Sequence, residues 1–207
     1  MSSYPVSLNL EDRKCVIIGG GIIAERKVVT LLEAGAVVRV VSPKLTDKLQ
    51  ELANNNSIEY ISSDYQTQHL DSAFLVIAAT NNREVNKAVF EEAKQRGMLV
   101  NVVDDPELCT FFAPAVVRRG DLTISVSTSG KSPSLSRRIR EQLEASYGPE
   151  YGDFVQLLGE IRAEVIEQNL DYNESARAFR EILNSEVLDM LAQGEYEKAK
   201  ERALQCF

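Results

Sequence analysis

The sequence is short of the features that mark several large protein classes. It has one histidine and three cysteines in 207 residues. Cys15, Cys109 and Cys206 are odd in number and none is paired at metal-ligand spacing, so neither a disulfide framework nor a zinc site is expected. They read as reduced thiols of a cytoplasmic protein. His69 lies in "YQTQHLD", far from any cysteine, and reads as structural rather than as a ligand; no metal site is expected. No apolar run approaches the ~20 residues that span a bilayer, so no membrane partner is expected. The opening "MSSYPVSLNLEDRK" lacks the basic flank and apolar core of a secretory signal. Basic residues are not in excess. The net charge of −8 argues against general nucleic-acid binding, though not against a local basic patch. Internal repeats and low-complexity tracts are also lacking.

What is present is an alternation. "KCVIIGGG" predicts a buried strand running into a glycine turn. "IAERKVVTLLEAG" has helical spacing, with Val28, Leu31 and Leu32 apolar and Gly35 as the C-terminal cap. Strands follow at "AVVRVVSP", "SIEYIS", "SAFLVIAAT" and "MLVNVV", with helices at "TDKLQELANN" and "REVNKAVFEEAKQRG" between them. Such alternation predicts an α/β, Rossmann-like parallel sheet with helices on both faces. The pattern then changes. "PAVVRRGDLTISVST" reads as a hairpin turning at Gly120-Asp121, "SGKSPS" as a loop, and Pro133 to Tyr147 as a helix. The rest reads as helices only. The expected divisions are 1–113 for the Rossmann-like domain, 114–150 for a hairpin-plus-helix region and 151–207 for a small all-helical domain.

The glycine turn carries the first functional signal. Gly19-x-Gly21-x-x-Ala24 fits the dinucleotide-binding fingerprint, and it follows a strand and opens a helix. Gly19 makes the tight turn, Gly21 lets backbone approach a pyrophosphate, and Ala24 keeps the helix close to the sheet. The helix N-terminus offers free N–H groups to the anion. The acid that usually binds the ribose is missing: the second strand ends in Ser42, Pro43 and Lys44. Ser42 has a hydroxyl for the ribose, and Lys44 tolerates a 2′-phosphate. These residues leave NAD and NADP both open.

Ligands collect beyond the carboxyl ends of strands in such sheets. Thr80, in "TNN", and the pair Asp104-Asp105, in "VVDDPELCTFFAPA", fall there. "DDP" has a plain reading as a turn. Its functional reading is a carboxylate beside the nicotinamide, partly desolvated by Phe111 and Phe112, whose pKa burial and a neighbouring carboxylate would raise toward a useful acid or base.

Taken together, "CVIIGGGIIAERKVVTLLEAGAVVRVVSP", "AATNNREVN", "NVVDDPELCTFFAPA" and "ISVSTSGKSPSLSRRIRE" resemble, in order and spacing, the precorrin-2 dehydrogenases of the siroheme synthase type. The resemblance covers residues 5–145; the tail is similar only in length and helical character. It implies a homodimer that oxidises precorrin-2 to sirohydrochlorin with NAD. Some members also insert ferrous iron. It assigns the essential aspartate of the "NVVD" motif, Asn101 to Asp104, to Asp104, with Asp105 left to shape the turn. It places cofactor contacts at Ile22, Ile23, Pro43 and Lys44, and makes the central region the dimerisation and substrate-contact segment. Thr128 stands where bacterial fusion members have a serine.

A local charge reversal fits an anionic tetrapyrrole. Arg118, Arg119, Lys131, Arg137, Arg138 and Arg140 cluster where the nearest acid in view is Asp121. Guanidinium forks suit carboxylates, and serines around Gly130, Ser132 among them, add donors. Asn101, Lys131, Ser132, Arg137 and Arg138 are therefore the candidate substrate contacts. The plain alternative is a solvated helix face. Two rival functions stand beside the dehydrogenase: a bifunctional enzyme that also chelates iron, and a nucleotide-sensing regulatory module.

Overall fold

The apolar segments of the first half pair as one parallel sheet. The computed structural model describes residues 4–168 and 171–207; positions 1–3, part of the opening segment, and 169–170, within the all-helical reading of the tail, lie outside it. The chain divides into two compact units, Met1–Ala113 and Pro114–Phe207.

The first unit runs β1 (Lys14–Ile18), α1 (Ile22–Glu33), β2 (Val37–Val41), α2 (Asp47–Asn54), β3 (Glu59–Ile61), β4 (Leu75–Ala78), α3 (Arg83–Gln95) and β5 (Leu99–Val102). The strands lie in the order β3-β2-β1-β4-β5. The order reverses between β1 and β4, which makes that gap the switch point where ligands bind in such sheets. Every strand residue of β4 is buried, as the unbroken apolar run predicts for a strand covered on both faces. Alternate residues feed two cores. Cys15, Ile17, Val38, Val40 and Ile77 pack with Ala24, Val28 and Leu31 of α1 and Leu49 of α2. Val16, Ile18, Val76 and Ala78 pack with Val89, Phe90 and Ala93 of α3. Truncating one of these fully buried aliphatics to alanine costs about 2–5 kcal/mol.

The caps are legible in the chain. Thr46 accepts from Leu49 N at the start of α2. Asn82 accepts from Glu84 N and Val85 N at the start of α3. Gly35, at φ +75°, follows α1 as the left-handed residue that ends it. Two short elements are absent from the sequence reading, 3-10 turns over Thr67–Leu70 and Pro106–Leu108. His69 belongs to the first: its Nδ1 accepts from Gln66 N at 3.0 Å, so the ring caps that turn.

The second unit opens with an antiparallel hairpin, β6 (Ala115–Arg119) and β7 (Leu122–Val126), joined at Gly120-Asp121. Then come α4 (Pro133–Ser146), α5 (Glu150–Glu167), α6 (Tyr172–Leu183), α7 (Val187–Ala192) and α8 (Tyr196–Leu204). Phe154, Leu157, Ile161, Ile182, Val187 and Leu191 form its core with Ala199 and Ala203. The hairpin is fastened to the helices by backbone proximity. A Cβ on Gly152, in the first turn of α5, would lie 3.0 Å from the Arg119 carbonyl carbon and 3.1 Å from Gly120 N. The Arg119 guanidinium donates to Tyr147 O at 2.7 Å and to Glu144 O at 3.0 Å, which caps the carboxyl end of α4 with a cation.

Candidate functional site

Register builds the site. Ile18 pairs with both Val41 and Ala78, and Ala78 pairs with Val102. The turns that begin at Gly19, Ser42, Ala79 and Val103 therefore leave the sheet in one row at its carboxyl edge.

The glycine turn is shaped by three residues rather than two. Gly19 has φ +121°, and a Cβ there would lie 2.3 Å from Ala79 O. Gly20 is packed as tightly: a Cβ would lie 2.1 Å from Lys44 O and 2.8 Å from Ser42 Oγ. Gly20 O accepts from Thr46 N at 3.0 Å. The sequence fingerprint passes over Gly20; its signal is the uninterrupted glycine triplet. Gly21 differs. A Cβ there would meet nothing within 4 Å. It is the N-cap of α1 and supplies no side-chain cap, so the first N–H groups of the helix face outward. Ile22 and Ile23 follow at 64% and 45% exposure, too exposed to be core. Glu25, the acid in this first turn, is drawn aside by Thr46, whose Oγ1 donates to Glu25 Oε2 at 2.5 Å. The result is an open backbone cradle with a helix dipole behind it, which suits a pyrophosphate.

The end of β2 is a tied turn. Ser42 is buried, and its hydroxyl donates to Lys44 O at 2.7 Å. That hydrogen is committed inside the turn, so Ser42 shapes the "SPK" loop that leaves Pro43 and Lys44 exposed. Thr80 is similarly engaged. Its Oγ1 lies 2.7 Å from Asn86 Oδ1, and Asn86 Nδ2 donates to Thr80 O at 3.0 Å. Asn86 is buried, and the pair locks the turn from β4 into α3.

Beyond β5, Asp105 N donates to Val102 O at 3.3 Å, closing a turn over 102–105. Asp104 sits in it with φ +62°, a left-handed conformation that aspartate tolerates better than most residues, at a cost of about 1 kcal/mol or more. Asp104 is exposed. The expected screening by Phe111 and Phe112 is therefore corrected: Phe111 packs toward the core of β1, β2 and α1. Asp105 is half-buried, with Oδ2 4.0 Å from the Arg83 guanidinium, and its carbonyl accepts from Leu108 N at 3.1 Å across the 3-10 turn Pro106–Leu108. Asp104 and Asp105 line a cavity of about 650 Å³ with Arg83, Asn86 and Glu107.

Asn101 is half-buried, and both its donors point inward, to Phe111 O at 3.1 Å and to the Cys109 sulfur at 3.4 Å. Cys109 is the feature that sequence reading missed. Its sulfur accepts from Val102 N at 3.3 Å and lies 3.2 Å from Asp105 O. Burial pushes the Cys109 thiol up; the Val102 backbone opposes this, and the Asp105 charge adds to it.

In the second unit the serine loop is self-organised. Ser132 N donates to Thr128 Oγ1 at 3.1 Å, Thr128 Oγ1 donates to Ser132 O at 3.0 Å, and Ser136 Oγ donates to Thr128 Oγ1 at 3.1 Å. Ser132 caps α4 by accepting from Leu135 N. The basic cluster needs correction. Glu141 and Glu144, one helical turn away, pair with it: Arg137 reaches Glu141 at 2.9 Å, and Arg140 reaches Glu144 at 2.5 Å. Arg119 is the α4 cap. Arg118, Lys131 and Arg138 have no ion pair among the described residues. The first unit thus brings together Gly19, Gly21, Ile22, Ile23, Ser42, Pro43, Lys44, Thr80 and Asp104 on one edge, with Asn101 just behind it. Lys131, Ser132, Arg137 and Arg138 belong to the second unit.

Residues 6–115 match a family profile described as putative NAD(P)-binding, and residues 119–146 match one described as sirohaem biosynthesis protein, central. The siroheme synthase of Photobacterium profundum is 35% identical over 99% of this chain and 44% of its own length. That of Methylobacillus flagellatus is 40% identical, again over 99% of this chain and 44% of its own. The chain thus spans less than half the length of these curated relatives. A solved structure titled "SirC, precorrin-2 dehydrogenase" superposes with a TM-score of 0.81 at 27% identity, over 98% of this chain and 100% of that one.

Proposed function

The chain belongs to the putative NAD(P)-binding family matched over residues 6–115, and from that premise we propose that it oxidises precorrin-2 to sirohydrochlorin with NAD. One observation carries this reading: an open glycine cradle and an exposed aspartate leave the same sheet edge, on either side of the switch point. The net change is loss of a hydride and a proton from the macrocycle. Bound NAD supplies the hydride acceptor. The chain supplies the rest. Backbone N–H groups at Gly21 to Ile23 would hold the pyrophosphate, the 42–44 turn would meet the adenosine ribose, and the Thr80 turn would border the nicotinamide end. The Asp104 carboxylate takes the proton that leaves with the hydride, and passes it to water. The gain over solution comes from proximity and a placed base.

The second unit is read as the dimerisation and substrate-contact segment, 114–150, followed by the helical domain, 151–207. The matched central profile and the cations at Lys131, Arg137 and Arg138 beside Ser132 support that reading for a substrate that carries many carboxylates. The working form is read as a cytoplasmic homodimer, and sedimentation of the purified chain tests the dimer. Absorbance on mixing the protein with NAD and precorrin-2 tests the reaction. Stoichiometric NADH and the sirohydrochlorin spectrum are the expected result; an unchanged spectrum overturns it. Ferrous iron in a parallel cuvette reads out chelation separately.

A further inference from the structure

We propose that Asn101 and Cys109 form a clasp that positions Asp104, and that Asn101 acts through this clasp rather than by touching the tetrapyrrole. The inference rests on proton transfer by Asp104.

The geometry has three parts. Asp104 is exposed and held at φ +62°. A left-handed non-glycine residue persists where its surroundings over-determine it. The turn's own hydrogen bond is long, 3.3 Å from Asp105 N to Val102 O, and does not do this alone. The fastening comes from behind the turn. The Cys109 sulfur lies between the residues that flank it, 3.3 Å from Val102 O on one side and 3.2 Å from Asp105 O on the other. It also accepts from Val102 N at 3.3 Å and from Asn101 Nδ2 at 3.4 Å. Asn101 Nδ2 in turn reaches Phe111 O at 3.1 Å, which ties the far end of the loop to β5. The far end of loop 103–110 is pinned by Thr110, whose N donates to Val100 O at 2.8 Å and whose Oγ1 accepts from Val100 N at 2.8 Å, and the end that carries Asp104 is held by the thiol and the amide.

The chemistry agrees. A thiol that burial keeps protonated both donates and accepts, so it bridges a carbonyl and two N–H groups at once. Asn101 projects to the face of the sheet shared with Ile77, its register partner, and not beyond the carboxyl edge. Its amide hydrogens are engaged, which leaves no donor for a substrate carboxylate.

A double-mutant cycle with Asp104→Asn tests the clasp. Cys109→Ala is expected to lower kcat by roughly ten- to hundredfold, the scale of a misplaced reacting group. The KM for precorrin-2 and the calorimetric Kd for NAD should stay within about twofold, since neither depends on the clasp. Cys109→Ser, which restores a donor and an acceptor, should recover most of the rate. Added to Asp104→Asn, Cys109→Ala should cost nothing further, because a positioning residue has no effect once its target is gone. Equal losses in both backgrounds, or full kcat in Cys109→Ala, overturn the clasp while leaving Asp104 in place. Full activity in Asp104→Asn overturns the proton-transfer reading itself, and the clasp with it. Should Cys109→Ala not fold, Asn101→Ala closes the same cycle, with the same outcomes deciding.

Discussion

At Asp104 the side chain and the backbone can be tested separately. Alanine removes the carboxylate but keeps the left-handed strain, so its effects are mixed. Asparagine keeps the tolerance for φ +62° and removes only the charge. Glycine removes the carboxylate and relieves the strain. Asp104→Asn should lower kcat by ~10²–10⁴-fold with NAD binding retained, as for loss of a placed acid or base. Asp104→Gly should be as inactive yet melt at or above the parent temperature. Steady-state rates at saturating NAD beside thermal melts decide it, and an active Asp104→Gly would make the loop only a turn. Tyr65 offers a contrasting residue. Its hydroxyl is buried without a partner among the described residues, and its ionisation is pushed up to about 12, chiefly by burial. A buried unpaired hydroxyl costs about 1–3 kcal/mol. Tyr65→Phe should therefore hold or raise the melting temperature, and a clear fall would reveal a partner for the hydroxyl.

The turn between β1 and α1 shows how much an element reveals of itself. The strand, the glycines and the helix were legible from residue type and order. So was the parallel sheet, because its strands are short apolar runs separated by amphipathic helices. Which glycine does what was not. Gly20 matters because Lys44 O, more than 20 positions away, packs where a side chain would stand. Gly20→Ala should disturb the turns after both β1 and β2, lowering stability and abolishing NAD binding together. Gly21 faces open space, so Gly21→Asp should fold normally. A side chain and a charge beside the pyrophosphate should still weaken NAD by at least tenfold, about 1.4 kcal/mol. Calorimetry and a melt on the two variants separate structural from ligand-facing glycine. The Asn101–Cys109 contact was invisible for the same reason: the pair stand eight positions apart, and only the folded turn brings them together.

At the scale of the whole chain, charge patterning was the weaker guide. The basic stretch around α4 looked unopposed in sequence, yet helical spacing sets Glu141 and Glu144 one turn from Arg137 and Arg140. Exposed pairs of this kind contribute little, and they still reduce the field a ligand sees. Arg138→Gln, which removes an arginine without an ion pair, should therefore raise the KM for the tetrapyrrole more than Arg137→Gln. Neither should alter NAD affinity, and equal effects would argue against selective binding by Arg138. The close approach of Gly152 to the hairpin turn, together with the grip of Arg119 on the end of α4, has a consequence in time as well as in space. An isolated two-stranded hairpin is barely stable. Here β6 and β7 cannot fray without releasing two helix ends, so their cross-strand hydrogen-bonded amides should exchange with solvent as slowly as the hydrogen-bonded amides of α4 and α5, through one common opening. A side chain at Gly152 should split that single opening into two, with the hairpin exchanging first.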